Sequence, residues 1–239
     1  MKQPLISIIT VVYNNKAGIE KTLISVANQT YAAIEYIVID GGSNDGTSEV
    51  IGRYLSGITH YLCEHDHGIY DAMNKGIQLA TGELIGIINS GDFYEKEAVA
   101  YMVEAYMRTP LADVYHGMLR VFDETGRFLS ISGHDSSFLS TGMIEHPTCF
   151  VKNAAYRKYG QYSLLYRSSS DYEFMLRLQK QGASFHFVEN IIANYFTGGM
   201  SYQQKAITET LEIRYQYGLI SRVKKIVLGT ILKLKAASK

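Results

Sequence analysis

The chain has 239 residues, 46% of them hydrophobic and only 3 of them proline, which suits one large α/β domain and argues against disorder. Lys plus Arg and Asp plus Glu both number 23, so the formal net charge is zero and gives no general electrostatic reason to bind nucleic acid. Two cysteines, Cys63 and Cys149, are too few for a disulfide framework and fit a reducing cytosol.

Along the chain, Ile6–Val12 is a nearly continuous β-branched run, as expected of a strand buried on both faces, and no signal-like segment precedes it. Asn14-Asn15 can cap a helix running to about Asn28, with Ile19, Leu23 and Val26 inward. Tyr36–Ile39 reads as the second strand. The turn Gly41-Gly42-Ser43-Asn44-Asp45-Gly46 and a helix carrying Val50, Ile51 and Tyr54 follow. Ile58–Cys63 reads as a third strand, Ile69–Ala80 as a third helix stopped at Gly82, and Leu84–Ile88 as a fourth strand. This alternation predicts an α/β fold with a mainly parallel sheet and helices on both faces.

After Pro110 the pattern changes. Val114–Phe122 and Phe128–Ile131 flank Asp123-Glu124-Thr125-Gly126 as a hairpin, and a loop rich in Ser and Gly runs from Ser132 to Gly142. His146-Pro147-Thr148 leads into a short strand, and Asp171–Gln181 predicts a helix with Phe174, Met175 and Leu178 buried. The chain thus divides into a first part, 1–110, a second part, 111–218, laid over its rim, and a C-terminal helix, 219–239.

Ligands of open α/β sheets sit beyond the carboxyl ends of the strands. Those ends are polar here: Asn14-Asn15, Asp40-Gly41, Glu64-His65-Asp66 and Asn89-Ser90-Gly91-Asp92. The glycine-rich turn after Asp40 matches neither the dinucleotide fingerprint nor the P-loop, since no Lys follows Gly46. It suits a nucleoside held at Asp40, or simply a structural turn capped by Asp45 or Ser43. Cys63-Glu64-His65-Asp66-His67 lacks a second ligand pair at zinc-finger spacing and reads as a hydrogen-bonded loop. Asp92 stands where Mg²⁺ or Mn²⁺ on a diphosphate needs one or two carboxylates, and equally where a helix cap would stand. Asp171 opens a helix, where it can complement the helix dipole or accept a proton from a hydroxyl.

Together the segments are more specific. Ser7–Asn15, Ile37–Thr47, Asp66–Gly76, Ala80–Glu83, Asn89–Asp92, His146–Thr148, Ser170–Leu178 and Gly198–Ser201 resemble, in order, the family 2 glycosyltransferases. The resemblance is nearest to the branch that builds bacterial O-antigen, capsule and colanic-acid repeat units. It implies a GT-A fold and a single displacement with inversion at the anomeric carbon. Thr10, Val12, Asp40, Gly41, Asp66 and Asn74 would then line the donor-nucleotide pocket, and Asp92 would hold Mn²⁺ or Mg²⁺ on the diphosphate. Asp171 would be the catalytic base, with His146, Gly198 and Gly199 near the acceptor or diphosphate. The donor would be a nucleotide-diphosphate hexose, UDP favoured. The acceptor would be a saccharide on undecaprenyl diphosphate, met in the bacterial cytoplasm at the inner face of the membrane.

This chain departs from the family in four places. Asp40-Gly41 replaces paired aspartates, Asn89-x-Gly91 replaces Asp-x-Asp, and Ser170 replaces the Glu of a Glu-Asp pair. The chain has no Trp, so the processive Gln-x-x-Arg-Trp signature cannot occur and addition of a single sugar is expected. Two other readings stay open: a nucleotidyltransferase, which shares the sheet and acidic site, and a non-catalytic carbohydrate-binding module, which the 19 tyrosines would suit.

The C-terminus repeats apolar residues at helical spacing (Leu219, Ile220, Val223, Ile226, Val227, Ile231, Leu234) among Arg222, Lys224, Lys225, Lys233 and Lys235, with no acid. This predicts a basic amphipathic helix, either lying on an anionic membrane surface or packed on the core or a second copy. The apolar run Ile226–Leu232 is far shorter than the ~20 residues that span a bilayer.

Overall fold

A computed structural model describes residues 3–197 and 204–237. Four strands form its parallel half: β1 (Ile6–Val12), β2 (Ile34–Asp40), β3 (His60–Cys63) and β4 (Leu84–Asn89), in the order β3-β2-β1-β4. Every residue of β1 is buried, as its unbroken apolar run requires. Alternate side chains supply two cores. Ile9, Ile37 and Ile85 face α3 (Ile69–Leu79) and α6 (Ser170–Lys180), while Ile8, Val38 and Ile88 face α1 (Lys16–Ala27), α2 (Thr47–Gly52) and α4 (Ala98–Arg108).

Residues beyond 110 continue this same sheet. From β4 the order runs through β8 (Phe150–Lys152), β6 (Val114–Phe122), β9 (Phe185–Phe196) and β5 (Phe93–Tyr94), with β7 (Phe128–Ser132) paired to β6. The sheet is mixed: β8 is antiparallel to β4 and β6, and β9 is parallel to β6. The expected hairpin is β6–β7, and α5 (Asn153–Tyr159) follows β8. The sequence carries no clear signal for β9. Its 12 residues mix buried and half-exposed positions, with register shifts against Gly117–Leu119, so no clean period of two marks it.

One close approach helps set the rim. A Cβ on Gly76 would come 2.5 Å from Ile9 Cγ2, so α3 lies tight on β1 and its first residues, Ile69 and Tyr70, reach the sheet's carboxyl end. Further along the chain, α7 (Gln204–Gln216) buries Ala206 and Ile213, the latter in the core that α3 and α6 share, and α8 (Arg222–Ala237) packs on α7. Among the described residues no helix is long and apolar enough to cross a membrane.

Candidate active site

The rim is built by short polar residues that tie the strand ends together. Asn15 accepts from Gly18 N–H to cap α1, and its amide donates to the Ser90 carbonyl and hydroxyl, each at 3.0 Å, locking the end of β1 to the end of β4. Asn14 takes a left-handed φ of 47° and crosses to the glycine-rich turn, accepting from Asn44 N–H while its own N–H donates to Ser43 Oγ.

Beyond β1 lies a cleft of about 520 Å³ lined by Val11, Val12, Tyr13, Asp66, Gly68 and Ile69, among others. Val12 and Asp66, two of the residues expected at the donor nucleotide, thus line this cleft. Gly41 is here for room: a Cβ on it would lie 2.3 Å from Asp66 Oδ2, while Asp66 Oδ1 accepts from Gly68 N–H at 2.8 Å.

Three other expected donor residues are turned away from the cleft. Thr10 is fully buried in the sheet with its hydroxyl 2.9 Å from the Tyr36 hydroxyl. Asp40 has no accessible surface. Its carboxylate accepts from Ser43 N–H, Ser48 Oγ and Tyr61 Oη, so it shapes the turn. Asn74 spends both ends of its amide on the backbone of Tyr162, donating to its carbonyl at 2.9 Å and accepting from its N–H at 3.0 Å. It clamps α3 to the segment before α6.

A second cleft, about 330 Å³, adjoins the first and shares Asn15, Ile69, Asn89 and Ser90 with it. Asp92, His146, Ser168, Asp171 and Tyr195 line its remaining walls. Asp92 is buried; Thr22 Oγ1 donates to its carbonyl at 2.7 Å, and its Oδ1 accepts from Phe196 N–H at 3.1 Å. Burial raises its carboxyl from the usual carboxylate range to about 7, against the pull of the nearby Lys21 ammonium. That ammonium rests over the rings of Phe93 and Phe196, 3.8 and 4.2 Å from their centroids.

Asp171 lies in the first turn of α6, half-buried, and its Oδ1 accepts from the Tyr70 hydroxyl at 2.8 Å. His146 is buried with Nε2 3.1 Å from the Tyr162 hydroxyl, and burial lowers its pKa, so it is neutral near pH 7. Asp171 and His146 also line a third groove, about 300 Å³, together with Glu145, Pro147 and Tyr195. The carboxylate therefore stands between two openings. Gly198 and Gly199 lie outside the described residues.

A cation held by protein ligands alone has no home: no group of three or more His, Cys, Asp or Glu is disposed to bind one among the described residues. What the rim offers is smaller. Asn89 Oδ1 is buried without a hydrogen-bond partner in the wall that also carries Asp92. One carboxylate and one orphaned carboxamide oxygen fit a hard cation that takes most of its ligands from a diphosphate and water. Asn15, Tyr70 and Asn89 were each visible in the sequence, as a cap, a motif member and a strand end, without a site role.

The sequence profile of Glycosyl transferase family 2 matches residues 7–184. The chain belongs to this family. An uncharacterized glycosyltransferase of Mycobacterium tuberculosis is 34% identical over 179 residues, 73% of this chain and 68% of the relative. The fold matches Staphylococcus aureus TarS 1–349 in complex with UDP-GlcNAc, with a TM-score of 0.72 at 17% identity, over 92% of this chain and 69% of that one. It also matches the mannosyltransferase PcManGT of Pyrobaculum calidifontis, in complex with GDP-Man and Mn²⁺, with a TM-score of 0.72 at 14% identity, over 99% and 76%. The chain spans 41% of the longer TarS chain. These likenesses give the GT-A glycosyltransferase fold, and family membership sets the nucleotidyltransferase reading aside.

Proposed function

We propose that this chain is an inverting glycosyltransferase that moves one hexose from a nucleotide-diphosphate sugar, UDP favoured, to a hydroxyl of a saccharide acceptor. The observation that carries the reading is the position of Asp171, which lines both the cleft holding Asp92 and the groove along Glu145 and Pro147. A base there can take the proton of an acceptor hydroxyl that reaches from the groove to the donor's anomeric carbon in the cleft. That hydroxyl oxygen bonds to the anomeric carbon, its proton passes to Asp171, and the nucleoside diphosphate departs from the opposite face with the bonding pair. One displacement inverts the configuration.

The nucleoside belongs in the larger cleft, where Val11, Val12 and Tyr13 offer apolar surface and Asp66 a hydrogen-bond acceptor. Asp92 and the carboxamide oxygen of Asn89 would hold a divalent cation, Mn²⁺ or Mg²⁺, which supplies Lewis-acid neutralisation of the departing diphosphate. Among the described residues no Lys or Arg lines the two clefts, and Lys21, the cation beside Asp92, rests on the Phe93 and Phe196 rings. PcManGT, of like fold, is in complex with GDP-Man and Mn²⁺. Neutral His146, held by Tyr162, orients the acceptor hydroxyl beside Asp171. The acceptor's saccharide is carried on a lipid diphosphate such as undecaprenyl diphosphate, and its product enters a bacterial surface polysaccharide made on the cytoplasmic side.

The test is a panel of UDP- and GDP-hexoses offered with Mn²⁺ and a lipid-linked saccharide, read by nucleoside diphosphate release and by NMR of the new linkage. An α-linked donor gives a β-linked product. Retained configuration, or no transfer with any donor, contradicts the reading.

A further inference from the structure

The residues of α8 divide cleanly. Lys225, Leu228, Gly229 and Leu232 are half-buried and recur at i, i+3, i+4 and i+7, so they form the face that meets α7. The opposite face carries Val223, Ile226, Val227 and Ile231, which are 71, 58, 50 and 43% exposed. At 3.6 residues per turn, Arg222 and Lys224 fall on the two flanks of that apolar stripe, and both are exposed. A helix that packs one face and bares another apolar face between cations is not explained by packing on the core.

A second bare apolar element lies beside a segment held by α7, the helix on which α8 packs. Leu164 and Leu165, adjacent in sequence, are 55 and 87% exposed in the segment that leads into α6. That segment is pinned to α7: Glu209 accepts from the N–H groups of Arg167 and Ser168, and Gln216 accepts from the Tyr166 hydroxyl at 2.7 Å. Between them Glu212 pairs with Lys225 of α8. Glu209, Glu212 and Gln216 sit at i, i+3 and i+7, one face of α7, and α7 is anchored in the core by Ala206 and Ile213. One rigid helix face thus braces both the leucine pair and α8.

We infer that α8 and the Leu164-Leu165 segment form a single docking face for an anionic lipid surface. The apolar stripe enters the acyl boundary, and the flanking cations meet the lipid phosphates. The leucines add a second point of insertion, which fixes the protein's tilt. Ser168, three residues after Leu165, lines the cleft with Asp171, so docking sets the site's mouth close to the membrane. This gives a purpose to the lipid-linked acceptor of the proposed function, yet binding to lipid requires none of that chemistry.

The experiment is co-sedimentation of the full chain with vesicles of phosphatidylcholine alone or mixed with equal phosphatidylglycerol, alongside transfer to a short soluble acceptor. Binding to the mixed vesicles should exceed binding to phosphatidylcholine by about tenfold or more and weaken as salt rises. Leu164→Ser with Leu165→Ser, and separately Arg222→Glu with Lys224→Glu, should each lower it by about tenfold, with the circular dichroism and soluble-acceptor transfer of the wild type. Equal binding to both vesicles, or none, overturns the inference. Unchanged binding by the leucine variant overturns the two-element face. A mass of twice the chain by light scattering, falling to one chain in Val223→Ser with Ile226→Ser, would give the stripe to a second copy instead. Loss of transfer to the soluble acceptor in the wild type would count against the proposed chemistry and leave the lipid result intact.

Discussion

The Tyr70 hydroxyl donates to Asp171 Oδ1 at 2.8 Å, joining the first turn of α3 to the first turn of α6 across 101 positions of sequence. Burial, and then the charge of Asp171, raise the Tyr70 phenol well above its ordinary value, so it stays protonated and remains a donor at any working pH. The bond leaves the second carboxylate oxygen of Asp171 for a substrate hydroxyl. Tyr70→Phe should lower kcat by about tenfold, near the worth of one charge-assisted hydrogen bond, and leave the donor KM unchanged. A loss confined to thermal stability, with kcat intact, would make Tyr70 a packing residue only.

Asp92 gives a pH-dependent stability. Its carboxyl moves from an ordinary 3.8 to about 7, so between those values the native state keeps a proton that the unfolded state has released. Stability therefore falls as pH rises from about 4 to about 7, by up to about 4 kcal/mol without a bound cation. Asp92→Asn should melt higher than wild type at pH 8 and at the same temperature near pH 4. Mn²⁺ should raise the melting temperature of the wild type at pH 8 and not that of the variant, because only the carboxylate can be held ionised by a cation. Equal stabilisation of both proteins by Mn²⁺ would place the cation elsewhere.

Gly41 is a sharp probe of the donor cleft. Its missing Cβ would lie 2.3 Å from Asp66 Oδ2, and Asp66 is short and already tied to Gly68 N–H, so Gly41→Ala must displace it. The donor KM should rise about tenfold, the cost of one misplaced polar contact, with kcat at saturating donor unchanged. An unaltered KM would remove Asp66 from nucleotide recognition.

Much of this was readable in the sequence, for a physical reason. β1, β2 and β4 are buried on both faces, so their side chains write the strand directly, and the polar ends that follow them mark the rim. Long-range partners were not readable. Nothing near Asn74 says that its amide faces Tyr162, 88 positions away, and so a member of a recognised motif was expected in the nucleotide pocket. The N–H of Phe196 holds Asp92 through the backbone, from a strand whose broken alternation hid it. The helical spacing of α8 was plain from the sequence. Which of its faces is bare depends on α7, and only the packed structure fixes that.

Asp171→Asn asks whether the carboxylate between the two openings is the base. The amide keeps the shape and still accepts from Tyr70, yet it cannot take the acceptor's proton. With the best donor and saturating Mn²⁺, kcat should fall by about 10²–10⁴, while the donor Kd measured by calorimetry stays within about threefold. Wild-type turnover by Asp171→Asn, or a loss that falls entirely on donor binding, would contradict the account.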